Sequence, residues 1–138
     1  MAIPTTSCEV QVQIWVDDNA VANGSTAGVY LVDNRTSAGT TLEATANLKT
    51  AASQGSNICW QAFLINPQSA SQVSIAAIGD SDAWGSSGQP QIAPDNPGAF
   101  TGTLQNAGTA SYPITIDVQV AGGAGVTVTL NPSVNVSA

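Results

Sequence analysis

The stretch of this chain best equipped for chemistry is Gly79-Asp80-Ser81-Asp82-Ala83-Trp84. Hard cations are held by several carboxylate and carbonyl oxygens. Asp80-Ser81-Asp82 resembles the opening of an oxygen-ligand calcium loop, which makes Asp80 and Asp82 candidate metal ligands. The full loop spacing and the closing glutamate are missing, and the competing reading is turn chemistry, with an aspartate after glycine stopping a strand. Trp84 follows among glycines. An exposed indole there could stack on a sugar or anchor a protein contact; a buried one would pin the loop to the body of the protein. Trp15 poses the same question, because it falls on the polar side of an alternating segment. Trp84 and Trp15 are therefore the candidate ligand or interface contacts.

Catalytic chemistry finds little purchase. The chain has no histidine, which removes Ser-His-Asp and Cys-His arrangements and histidine-ligated zinc. Glu9 and Glu43 sit on the expected solvent sides of strands, and nothing pairs them as a two-carboxylate glycosidase would require. The chain reads as a non-enzyme. Its net charge is −7 with only Arg35 and Lys49 basic, so no basic patch exists to hold a phosphate backbone or an anionic membrane. Charged residues make up 8%, against about 25% in typical domains. A surface built from neutral Ser, Thr, Asn and Gln carries little mutual repulsion and tolerates self-association, so a homo-oligomer is expected.

The positioning elements read as strands. Cys8–Val16 alternates, with Cys8, Val10, Val12, Ile14 and Val16 on one side. Val29–Val32, Thr41–Thr50, Ile58–Ile65, Val73–Ile78, Phe100–Leu104, Tyr112–Val120, Val126–Leu130 and Val134–Val136 follow. Ile58–Ile65 is apolar on both faces, as a strand central to a sheet would be, and Trp60 is the largest side chain there. In Thr41–Thr50, Leu42, Ala44, Ala46 and Leu48 are expected to face inward. Asn23-Gly24 marks a turn, and residues 79–98 form the longest irregular stretch, of the kind that is functional or mobile. Residues 1–6 are expected to be a flexible arm, with Pro4 barring early ladder donation. Eight to nine short strands without a convincing helix define an all-β chain, an antiparallel β-sandwich of jelly-roll or immunoglobulin-like type, in one domain over residues 1–138. Cys8 in phase with the inward residues, and Cys59 opposite Trp60, are expected to be separate buried thiols rather than a disulfide. No signal-peptide pattern or membrane-length apolar run occurs. A bacterial cytoplasmic location fits best, with a secreted chain as the alternative.

From Tyr30 to Trp84 the chain resembles a bacterial family. Tyr30, Val32, Asp33 and Arg35 match a tyrosine-led strand, Ala46 and Leu48 the next, Gly55 a turn, Trp60 an aromatic-bearing strand, and Val73, Ile75 and Ile78 a V-x-I-x-x-I strand. Phe100-x-Gly102-x-Leu104, Tyr112 and Asn131-Pro132-x-Val134 follow in similar order. The pattern is similar to that of the AidA/PixA-type inclusion body proteins, with Gly55-Ser56 in place of Gly-Asp and Asn131-Pro132 in place of Asp-Pro. The resemblance implies a β architecture, abundant cytoplasmic inclusions, self-association and host association, with no catalytic residues to carry over. The alternative is a carbohydrate-binding module or lectin that uses Trp84, with calcium on Asp80 and Asp82, to meet a glycan or host factor.

Overall fold

Period-two patterning carries into strands wherever the chain also finds a neighbour for its backbone. A computed structural model describes residues 3–21, 26–123 and 125–138; the Asn23-Gly24 turn lies outside the described residues. Among those described are eleven strands: β1 (Val10–Val16), β2 (Val29–Asp33), β3 (Lys49–Ser53), β4 (Asn57–Leu64), β5 (Gln72–Ile78), β6 (Gln91–Ala93), β7 (Asn96–Thr103), β8 (Gly108–Ser111), β9 (Ile114–Gln119), β10 (Gly125–Leu130) and β11 (Ser133–Ser137). One short helix, α1 (Asp18–Val21), follows β1.

The strands form a five-stranded sheet in the order β2-β1-β4-β7-β6 and two three-stranded sheets, β10-β9-β5 and β3-β11-β8. The expected eight to nine strands become eleven because β6 and β8 lack apolar alternation. The expected all-antiparallel pairing is also corrected. β1 runs parallel to β4, and β3 parallel to β11. Which distant strand becomes a neighbour is not encoded in a strand's own alternation. β4 and β5, read as consecutive core strands, lie in different sheets, and β5 pairs with β9.

All three sheets turn apolar residues into one cluster. β1 supplies Val10, Val12, Ile14 and Val16, and β4 supplies Ile58 and Trp60. Ile75 and Ile78 come from β5, Ile114, Ile116 and Val118 from β9, and Val134 and Val136 from β11. β4 is the middle strand of the larger sheet, as its two apolar faces required.

The two smaller sheets are one hairpin divided. Ile114 faces Leu130 in β9–β10, and Ser111 faces Ser133 in β8–β11, with no slip in register between them. At the boundary the Tyr112 N–H donates to the Pro132 carbonyl at 3.0 Å. The return bond cannot form, because proline has no N–H. Pro113, alongside, donates nothing to the strand on its other side.

Thr41–Thr50 is the largest departure. Only its end enters β3. Leu42 is 57% exposed, and Leu42 and Ala44 adopt φ of 60° and 62°, a left-handed conformation that disfavours side chains by about 1–2 kcal/mol each. Glu43 between them is turned inward: its carboxylate accepts the Asp33 N–H at 2.9 Å and the Thr36 hydroxyl. Backbone bonds between Leu31 and residues Ala44 and Thr45 hold the loop against β2. Ala46 and Leu48 do pack on the core as expected; the alternation at Leu42 and Ala44 was fortuitous, and the path there is set by contacts from distant residues.

The cysteines are likewise corrected. Cys8 and Cys59 form a disulfide with a Cα–Cα distance of 5.9 Å. A 3-10 turn at Thr5–Ser7 and a bend at Glu9 break the phase of β1, so Cys8 does not continue the inward series and reaches the outer side of β4. The arm expected to be loose is tied from Ile3 onward. Ile3 exchanges two hydrogen bonds with Thr101 Oγ1, at 3.2 and 2.6 Å. Thr5 gives its N–H and hydroxyl to Asp95, and Asn57 Nδ2 donates to the Ser7 carbonyl. The arm thus covers one half of the outer face of the five-stranded sheet.

Candidate functional site

Trp84 is in the core. It is 1% exposed and donates its Nε1–H to the Gly79 carbonyl at 2.9 Å. The residues around it make this possible. A 3-10 turn over Asp82–Trp84 starts at Ser81, whose hydroxyl accepts the Ala83 N–H. Gly88 then passes so close to the backbone that a Cβ there would lie 2.2 Å from the Thr103 oxygen and 2.3 Å from that of Trp84. Inside, Trp84 packs edge-on against Trp60 and Tyr112, with ring centroids 5.6 and 5.3 Å away. Trp60 Nε1 donates to the Tyr112 hydroxyl at 3.2 Å, and burial pushes the Tyr112 phenol far above its ordinary value. Of the two sequence readings of Trp84, the pin describes its placement, and its ring offers no face to a sugar. Asp80 and Asp82 are exposed. Among the described residues no group of three or more His, Cys, Asp or Glu comes together as a metal site.

Trp15 is placed differently. It stands on the outer face of β1, half-buried, directly between Tyr30 of β2 and Phe63 of β4 in the strand register. Trp15 and Phe63 stack, with centroids 4.9 Å apart and planes 27° from parallel. Trp15 Nε1 donates to Gln13 Oε1 at 3.1 Å. Tyr30 is 37% exposed, and Ile65, which follows β4, is 46% exposed. One register row further, Val32, Gln13 and Gln61 stand side by side. These two rows carry aromatic, aliphatic and amide side chains and no charge. Trp15 was visible in the sequence as an indole out of phase; Tyr30 and Phe63 were not, because their adjacency depends on the pairing of three separated strands. A shallow depression of about 170 Å³ borders the row, lined by Gln11, Gln13, Val32, Asp33 and Asn34. A wider one of about 450 Å³ lies on the far sheet, among Ser74, Asp117, Gln119 and Thr127 of β5, β9 and β10. Its Thr127 hydroxyl is bonded to Asp117 at 3.0 Å.

Asp18, Asp33 and Glu43 serve the framework. Asp18 accepts the hydroxyls of Ser69 and Ser71 at 2.6 and 2.7 Å, and Ser71 Oγ accepts the Ala121 N–H at 2.9 Å. This chain of bonds joins α1 to two loops. Asp33 and Glu43 are neighbours, yet the oxygens of both are taken by Arg35 N–H, the Thr40 hydroxyl, Asp33 N–H and the Thr36 hydroxyl. That arrangement closes this carboxylate pair to a substrate.

Their titration gives an expected result. The serine hydroxyls hold the Asp18 carboxyl below its ordinary value of 3.8, and Thr5 does the same for Asp95. Burial, aided by the charge of Glu43, raises Asp33 above 3.8. A raised carboxyl favours the folded state once protonated, whereas a lowered one favours it while ionised. Stability should therefore rise as pH falls through the Asp33 value toward 3.8. It should then fall as Asp18 and Asp95 take up protons. Urea midpoints across this range check it, and Asp33→Asn should abolish the rise. A midpoint that only declines from neutral pH downward would contradict the assignment.

The strands thus define an all-β protein with an uncharged aromatic row on the outer face of its larger sheet. A family match spans residues 8–126, and the chain belongs to that family, described as Domain of unknown function (DUF8788). No curated protein sequence matches it. In structure it is similar to an inclusion body protein, PixA, from Burkholderia cenocepacia J2315, with a TM-score of 0.75 and 9% identity over 99% of this chain and 100% of that one. The likeness to PixA is one of fold; the sequence family is DUF8788. Among the described residues no helix is long and apolar enough to cross a membrane.

Proposed function

We propose that this is a non-catalytic protein that works by contact, associating with copies of itself as an inclusion body protein would. The observation that carries the reading is the uncharged aromatic row Tyr30–Trp15–Phe63 in a chain of net charge −7. Exposed aromatic patches mark interaction surfaces, and the PixA-like fold supports this use. The glycan reading loses Trp84 to the core, and in Trp15 and Phe63 each ring turns one face to the other. Host contact stays within the same proposal as a consequence of assembly. For location, the Cys8–Cys59 bridge favours an oxidising compartment, so the redox state of the pair in freshly isolated protein tells export from cytoplasmic storage. Sedimentation of the oxidised chain from micromolar to millimolar concentration tests the function. Mass should grow with concentration, and a strict monomer throughout would overturn the reading.

A further inference from the structure

Resting on that reading of self-association, we propose that the open half of the outer face of the five-stranded sheet is the seat of a second copy of this chain, docked about a two-fold axis. The same face already shows what it requires. Its other half is covered by the chain's own arm, through the Cys8–Cys59 bridge and the Ile3–Thr101 bonds. Beyond the arm the cover stops, and Trp15, Phe63, Tyr30 and Ile65 meet water.

Charge selects the occupant. Nine carboxylates against two basic residues make most faces of this protein repel their own copies; the rows Tyr30–Trp15–Phe63 and Val32–Gln13–Gln61 carry none of them, and Asp33 stands only at their edge. Gln13 and Gln61 are paired in register, and each amide carries N–H donors and an oxygen with two acceptor sites, one of which on Gln13 is taken by Trp15 Nε1–H. A two-fold axis sets a patch against itself, and amides, unlike carboxylates, complement their own kind. Ring orientation points the same way. Trp15 and Phe63 stack on each other, so a partner would meet mainly their edges, which suit edge-to-face packing against aromatic rings of the other copy better than flat stacking under a sugar. The two rows and Ile65 number few residues beside the roughly 20–30 a side of a stable complex. Association through it is weak and grows with crowding, which suits a protein that accumulates.

The experiment uses the oxidised full chain. Trp60 and Trp84 are sealed in the core, so quenching of tryptophan fluorescence by acrylamide reports on Trp15. Sedimentation and quenching are followed together as concentration rises, for the wild type, for Gln13→Glu and Tyr30→Glu on the face, and for Ser74→Glu on the far sheet. Wild type and Ser74→Glu should gain mass while Trp15 becomes shielded. The two face variants should associate at least about tenfold more weakly, with circular dichroism unchanged. Growth in mass with Trp15 still open, or with Gln13→Glu and Tyr30→Glu unaffected, overturns this interface and leaves self-association standing. A monomer at every concentration overturns both. Shielding of Trp15 by added soluble oligosaccharides, without a gain in mass, makes the face a sugar site and also overturns the proposal.

Discussion

Replacing Trp60 with alanine is expected to lower the unfolding free energy by about 4 kcal/mol, within the range of 3–5 kcal/mol found for buried aromatic truncations. The side chain is fully buried on the middle strand of the larger sheet. It touches Trp84 and Tyr112 edge-on, so truncation opens a cavity between the sheets and removes aromatic contacts from two neighbours at once. It also takes the Nε1–H from the Tyr112 hydroxyl. Trp60→Phe separates these effects. It keeps a ring in place and leaves the hydroxyl without that donor, for which about 1–3 kcal/mol is expected. Urea unfolding followed by circular dichroism measures both. A Trp60→Ala loss under about 1 kcal/mol, the ordinary effect of an arbitrary substitution, would mean that the three rings do not hold the layers together.

Breaking the Cys8–Cys59 bridge should have an effect of the same order. The bridge closes a loop with a sequence separation of 51, and in the chain-entropy account such a constraint on the unfolded state is worth about 4 kcal/mol. The loss should appear as a lower urea midpoint in the presence of a dithiol reductant, and equally in the Cys8→Ser, Cys59→Ser double variant. The amides of Ile3 and Thr5 should exchange faster in the same samples, because the arm would then be held by hydrogen bonds alone, to Thr101, Asp95 and Asn57. A midpoint unmoved by reductant would show that the sulfurs are not joined in the working protein.

These two expectations also mark where sequence reading succeeded and where it stopped. Trp60 was legible because both faces of Ile58–Ile65 are apolar apart from Gln61, which suits the centre of a sheet, although the outer face is covered at Cys59 and left open at Phe63 and Ile65. The inward series of β1 and β9 was legible for the same period-two reason. The bridge was hidden by a single bend at Glu9, which breaks the phase on which the placement of Cys8 relied. Leu42 and Ala44 misled because alternation in a short segment arises by chance, and the deciding contacts of Glu43 with Asp33 and Thr36 lie outside the segment. β6 and β8 left no trace, being short and polar. In the candidate site, Trp15 stood out as an indole on a polar face, whereas the row it belongs to exists only once β1 has been set antiparallel to β2 and parallel to β4. Trp84 was evenly poised between surface and core until the path of the backbone past Gly88 settled it.

The divided hairpin carries a further consequence. A ribbon that long, with an amide proton at every position, would run on as a single twisted blade and could line only one stretch of the core. Pro132 withholds one proton where the ladder needs it, and Pro113 withholds another beside it. The ladder is interrupted there, and the ribbon is shared between two sheets that both line the core. Restoring the missing amide proton, as in Pro132→Ala, thus offers the two short sheets the bond that would join them into one.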